Sequence, residues 1–156
     1  MKIPVSLLKN PVHLLSVGFG SGLAPKAPGT FGTIAALTFW YVLQFLPPAY
    51  YVVVLILAFI LGVYLCGATA DALGVHDHGG IVWDEFVGLW IALFMVPMHL
   101  GWILLGFALF RLFDIWKPWP IRVLDAKVHG GFGIMIDDVL AGVYAYLTLQ
   151  LLYVLS

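Results

Sequence analysis

The seven Lys and Arg and the eight Asp and Glu of this chain all fall within residues 2–26, 71–85 and 111–138. Between these islands, residues 27–70, 86–110 and 139–156 carry no charged side chain. Only 10% of the chain is charged and 63% is apolar, against about 25% charged in an average soluble domain. That leaves too little polar surface to cover a water-soluble globule of 156 residues. The pattern predicts one all-α domain over residues 1–156. It is an integral membrane helical bundle with short or re-entrant helices and charged loops gathered on one face. Charge placed beside hydrocarbon is costly, so the islands mark working positions.

The punctuation of the chain gives the order of elements. Pro4 and Pro11 keep residues 1–16 a short amphipathic or irregular segment. Residues 18–32, GFGSGLAPKAPGTFG, read as a tightly packed loop whose Thr30 caps the next helix. Residues 30–46 and 50–70 form a helical hairpin turning at Pro47-Pro48, with Tyr41, Tyr50 and Tyr51 in an interfacial aromatic belt. A hairpin returns the chain to its starting side, so the first two islands share a face. All Lys and Arg lie in the first and third islands, which the positive-inside rule puts together in the cytoplasm. Residues 86–110 must then dip in and return around Pro97-Met98-His99. Each half, about a dozen residues, is too short to span a bilayer core of about 30 Å. A last helix covers residues 134–155, with Asp137 and Asp138 in its first turn.

Two acidic pairs, Asp84-Glu85 and Asp137-Asp138, each open an apolar helix. One such pair is ordinary compensation of a helix dipole. Two pairs in so acid-poor a chain point instead to a hard cation such as Mg²⁺, which takes carboxylate oxygens together with phosphate and water. Asp71 and the run His76-Asp77-His78 share the second island. They suit proton transfer or hydrogen bonding to the carboxylates better than a zinc site, since no third His matches. Arg111, Asp114 and Lys117 recur every three residues on one helix face. That is either a local ion pair or a phosphate clamp in which Asp114 holds one of the cations. Arg122 and Lys127 add positive charge that also suits anionic lipid. His129-Gly130-Gly131-Phe132-Gly133 permits close backbone approach or anion binding, and His129 is placed to protonate a leaving oxygen. His13 and His99 read as structural or interfacial.

Several classes are excluded. A net charge of −1 gives no basis for nucleic-acid binding. Cys66 is a core residue, because the Cys-x5-Arg loop of cysteine phosphatases would need Arg where Ala72 stands. The N-terminus lacks the small-residue cleavage site of a removed signal peptide. The Asp-x-Asp of haloacid-dehalogenase-type enzymes and the Lys-x6-Arg-Pro of His-dependent lipid phosphatases are also missing.

The segments GFGSGLAPKAPGTFG, HDHGGIVWDEFVGLW, FRLFDIWKPWPIR and HGGFGIMIDDVLAG together resemble the phosphatidylglycerophosphatase A family, from about Gly18 to Gly142. The resemblance implies an all-helical bundle with one helix surrounded by others. It implies a Mg²⁺-dependent lipid phosphatase of the bacterial inner membrane. That family converts phosphatidylglycerophosphate to phosphatidylglycerol and inorganic phosphate. Its acidic positions fall on Asp71, Asp77, Asp84, Glu85, Asp114, Asp137 and Asp138, its basic positions on Arg111, Lys117 and Arg122, and its loop threonine on Thr30.

These readings combine into one expectation. Glu85, Asp137 and Asp138, with Asp84, hold Mg²⁺ on the cytoplasmic face. Lys26, Thr30, Arg111, Lys117 and Arg122 meet substrate phosphate. Asp71 or Asp77 activates water, and His129 protonates the leaving oxygen. Membrane lipids surround the chain, and the sequence fixes no oligomeric state. An ion or small-anion transporter is the alternative, disfavoured because the charges cluster at one end and no inverted repeat is visible.

Overall fold

The computed structural model describes all 156 residues. The chain is helical throughout, with no strand. Its α-helices are α1 (Pro11–Ser16), α2 (Pro28–Leu43), α3 (Pro48–Leu73), α4 (Trp83–Ala92), α5 (Leu100–Trp116), α6 (Ile121–Lys127) and α7 (Gly130–Leu155). Short 3₁₀ segments cover Val5–Lys9 and Gly18–Leu23.

α4 is the axis of the bundle. Every residue of this helix but Ile91 is buried, and α2, α3, α5 and α7 pack around it. Polar atoms of its aromatic residues fix it among its neighbours. The Trp83 indole N–H donates to the Ala58 carbonyl on α3 (3.0 Å), and that of Trp90 to the Ala36 carbonyl on α2 (2.9 Å). The Tyr51 hydroxyl of α3 donates to the Trp90 carbonyl (2.5 Å). Tyr51 is therefore only 3% exposed, a core residue and not part of an aromatic belt. Tyr41 and Tyr50 do face outward.

The dip-and-return of residues 86–110 takes a definite form. Ten residues of α4 reach about 15 Å, half a bilayer core. The turn begins at Leu93, with Met95 in the left-handed region, and α5 runs back. The return is fixed at its end, where Arg111 near the end of α5 meets Glu85 in the first turn of α4.

Three boundaries differ from expectation. α2 starts at Pro28, preceded by left-handed Ala27, so Thr30 lies inside the first turn and does not cap it. Proline suits this first position because its missing N–H would have no helical partner. α3 continues to Leu73 and stops at left-handed Gly74. α7 begins at Gly130, so Asp137 and Asp138 lie two turns in. The helix dipole acts on the terminal turn, and it does not account for that pair.

Outside this core the helices are apolar. Val53, Ile56, Leu57 and Ile60 of α3 and Leu147, Leu151 and Leu152 of α7 are exposed. α3 and α7, at 26 residues each, are long and apolar enough to cross a membrane. Their exposed stripes suit hydrocarbon. His13 bonds Thr69 (2.9 Å) and the His99 ring caps α5 through Gly101 N–H, so both histidines are structural. Cys66 is fully buried.

α4 and α7 cross at a glycine pair. A Cβ on Gly142 would fall 2.4 Å from the Gly88 carbonyl oxygen, which is backbone and cannot swing aside. Gly142→Ala is expected to push the helices apart and destabilise the protein by about 1–3 kcal/mol. Thermal unfolding in detergent measures this as a lowered Tm; an unchanged Tm would contradict the close crossing.

Candidate functional site

The charged islands meet at one end of the bundle. Glu85 comes from α4, Arg111 and Asp114 from α5, Asp137 and Asp138 from α7, and Lys117 caps α5 in the left-handed conformation. One oxygen each of Glu85, Asp114 and Asp138 lie within 4.8 Å of one another. Arg111 Nη1 donates to Glu85 Oε1 (3.3 Å) and to Asp114 Oδ2. Lys117 Nζ donates to Asp137 Oδ2 (2.8 Å) and pairs with Asp125 Oδ1 of α6 (3.0 Å). Partial burial pulls the Lys117 ammonium down, but the hydrogen bonds and charges of Asp137 and Asp125 outweigh it and leave its pKa raised.

The start of α2 closes the site from the side. A Cβ on Gly29 would lie 2.3 Å from Glu85 Oε1 and 3.1 Å from both Arg111 Nη atoms. Only glycine lets this backbone come so near the carboxylate.

Asp84, Glu85, Asp137 and Asp138 are buried. Asp84 Oδ1, Glu85 Oε2, Asp137 Oδ1 and Asp138 Oδ2 have no hydrogen-bond partner, nor does Arg111 Nε. Buried carboxylate oxygens left without donors are expensive. Five carboxylates gather around two cations, Arg111 and Lys117, so negative charge is in excess. Oxygen donors in a charge-poor surround, with unused lone pairs, fit a hard divalent cation such as Mg²⁺.

The other expected site residues divide by location. Asp77 is exposed on the loop between α3 and α4, and its side chain makes no hydrogen bond or ion pair. Crowding by protein still strips water from its carboxyl and raises its pKa above the ordinary range; Lys117 opposes the rise, while Asp125 and Asp114 add to it. Asp71 is exposed in the last turn of α3, where it lines a depression of about 350 Å³ with His76, Gly130 and Gly131. His129 Nδ1 lies 3.1 Å from His76 Nε2. No hydrogen bond joins Asp71 or His129 to the carboxylate cluster. Lys26 is exposed and Thr30 half-buried, and neither side chain forms an ion pair or hydrogen bond. Arg122 is exposed on α6 and donates to the Trp116 carbonyl (3.3 Å). Asp114 joins Glu85 and Asp138 in the cluster, beyond the two acidic pairs that the sequence singles out. Its only local signal was the spacing Arg111-x2-Asp114-x2-Lys117, which also describes a simple ion pair.

Comparison with known proteins adds an independent line. The sequence profile of the family described as Phosphatidylglycerophosphatase A matches residues 14–153. A phosphatidylglycerophosphatase A of Escherichia coli (strain K12) is 58% identical over 137 residues, covering 87% of this chain and 80% of that protein. One from Haemophilus influenzae is 55% identical, covering 90% and 87%. A Bacteroides thetaiotaomicron protein, provisionally described as a phosphatidylinositol-3-phosphatase, is 40% identical, covering 86% and 88%. No solved structure matches. The matched span contains α2 to α6 and nearly all of α7, and with them every residue of the carboxylate cluster, so this chain belongs to the phosphatidylglycerophosphatase A family.

Proposed function

We propose that the chain is a lipid phosphatase that hydrolyses the terminal phosphomonoester of phosphatidylglycerophosphate, releasing phosphatidylglycerol and inorganic phosphate. The carrying observation is the convergence of Glu85, Asp114 and Asp138 from three helices. The names of the two most similar relatives described above supply the substrate.

Glu85, Asp114 and Asp138 would hold Mg²⁺, and Asp84 and Asp137, their sequence neighbours on α4 and α7, keep one buried oxygen each without a partner. When bound, the cation supplies Lewis acidity and positive charge at the phosphoryl oxygens. An anionic phosphate has no reason to approach five carboxylates otherwise. Arg111 and Lys117 are already oriented by their ion pairs. They stabilise the charge that spreads over the phosphoryl oxygens as the ester bond breaks. Phosphoryl transfer depends mainly on positioning and electrostatics, so these parts suffice without a covalent intermediate. Asp77, its pKa raised, accepts a proton from the attacking water. The leaving glycerol oxygen takes up a proton from solvent or from a nearby acid.

The N-terminal segment and the ends of α3, α5 and α6 share the site's end of the bundle. The opposite end, at the turns after α2 and α4, has no charged side chain. All the Lys and Arg thus lie toward one face. The positive-inside rule supports a multi-pass protein of the bacterial inner membrane with this face in the cytoplasm.

Purified protein in mixed micelles should release phosphate from phosphatidylglycerophosphate, stop on addition of EDTA, and resume with excess Mg²⁺. Activity indifferent to EDTA would remove the cation from the reading. Phosphatidylinositol-3-phosphate as a second substrate separates this assignment from the activity named for the Bacteroides relative. Preference for it would move the substrate.

A further inference from the structure

Beside the carboxylate cluster, the segment linking α5 to α6 forms an open depression of about 370 Å³. It is lined by Trp116, Lys117, Pro118, Trp119, Arg122 and Val123. Lys117 is common to both places: it walls the depression and its Nζ holds Asp137 and Asp125. Arg122 lies one helical turn before Asp125. It has no carboxylate within ion-pair distance, whereas Arg111 and Lys117 are each paired twice. Its single hydrogen bond, Nη2 to the Trp116 carbonyl (3.3 Å), leaves the other guanidinium N–H groups free.

The rim has the character of a membrane interface. Trp116 is 56% exposed and Trp119 79%, and such amphipathic rings favour the headgroup layer. The Tyr144 hydroxyl of α7 donates to the Trp119 carbonyl (2.9 Å), fixing the segment to the bundle. The depression is thus a cationic recess rimmed by two exposed tryptophans, and it shares Lys117 with the carboxylate site.

We propose that this recess binds the phosphodiester of the substrate headgroup through Arg122, while the monoester of the same molecule reaches the carboxylate cluster past Lys117. The inference rests on the phosphatase reading above. In phosphatidylglycerophosphate a three-carbon bridge separates the two phosphates, and in the protein Arg122 and Lys117 line one depression whose Lys117 also holds Asp137. Phosphatidic acid has a monoester and no diester. Arg122 therefore selects lipids that carry both groups, and a planar guanidinium suits such an oxyanion better than a point charge.

The test uses the whole protein in mixed micelles, with phosphatidylglycerophosphate as substrate and two competing lipids. Phosphatidylglycerol offers the diester alone and phosphatidic acid the monoester alone. Arg122→Gln is expected to raise KM about tenfold or more, the loss of a charge-assisted hydrogen bond, with kcat little altered. It should weaken inhibition by phosphatidylglycerol by a similar factor and leave inhibition by phosphatidic acid unchanged. Arg122→Lys should restore part of the loss, and Lys127→Gln should change neither inhibitor. Equal weakening of both inhibitors, the same effect from Lys127→Gln, or undiminished phosphatidylglycerol inhibition in Arg122→Gln would overturn the inference alone. A wild-type protein that releases no phosphate would overturn the phosphatase reading, and this inference with it.

Discussion

Asp114→Asn is expected to lower phosphate release by about 10³-fold or more while leaving the helical fold intact. The replacement keeps the shape of the side chain and removes its charge. Asp114 accepts from Arg111 and contributes one of the three oxygens that lie within 4.8 Å of each other. Were it only the partner of Arg111, one turn away on α5, its loss would appear as a lowered Tm, because the pair is largely shielded from solvent and removing one side of such a pair costs about 3 kcal/mol or more. A large loss of rate with an unchanged Tm therefore places it in the reacting site. Glu85→Gln and Asp138→Asn should match it, because each removes a carboxylate that a cation in the cluster would need. Single-turnover phosphate release at saturating Mg²⁺ is the measurement. Activity within a few-fold of wild type in Asp114→Asn would return that residue to a structural role.

Asp77→Asn is expected to reduce kcat by about 10²-fold and to remove the acid limb of the pH profile. A base acts only when deprotonated. Because desolvation raises the pKa of Asp77, its inactive protonated form persists to higher pH than for an ordinary carboxylate. The wild-type rate should thus fall, as pH is lowered, above the range where a free Asp titrates. The variant should show a low rate without that step. An acid limb retained in full by Asp77→Asn would assign the base elsewhere, and Asp71, in the neighbouring depression with His76, is the next residue to test.

Much of this architecture was legible in where charge is absent. The uncharged stretch 86–110 was too short to cross and return in full, which predicts two short halves. α4 is short at 10 residues, whereas α5 returns as a 17-residue helix that runs on to Trp116 in the third island. The meeting of the islands followed from the same argument. What could not be read was set by tertiary contact. The glycines at 130, 131 and 133 look like a loop by propensity. They are nevertheless the first turn of α7, where the absence of side chains lets α7 press against the Val63 carbonyl of α3. Tyr51 follows two prolines and a second tyrosine at a helix start, a pattern suited to an interface. Its hydroxyl reaches the Trp90 carbonyl instead, a partner 39 residues away that no local pattern reveals. Asp114 has near neighbours of opposite charge in sequence, which conceal its approach to Glu85 and Asp138 on other helices. Asp71 and His129 share islands with the clustered acids, yet they lie at or beside the His76 depression, because α3 and the start of α7 present them there.

The most direct measurement is electron paramagnetic resonance of Mn²⁺ added to the purified protein, with Mn²⁺ standing in for Mg²⁺ as an oxygen-seeking cation. The wild-type protein should bind Mn²⁺, Mg²⁺ should displace it, and Asp138→Asn or Glu85→Gln should abolish the bound signal without loss of helical content. A protein that binds no Mn²⁺, or one whose bound signal survives both substitutions, would contradict a carboxylate site assembled from α4, α5 and α7.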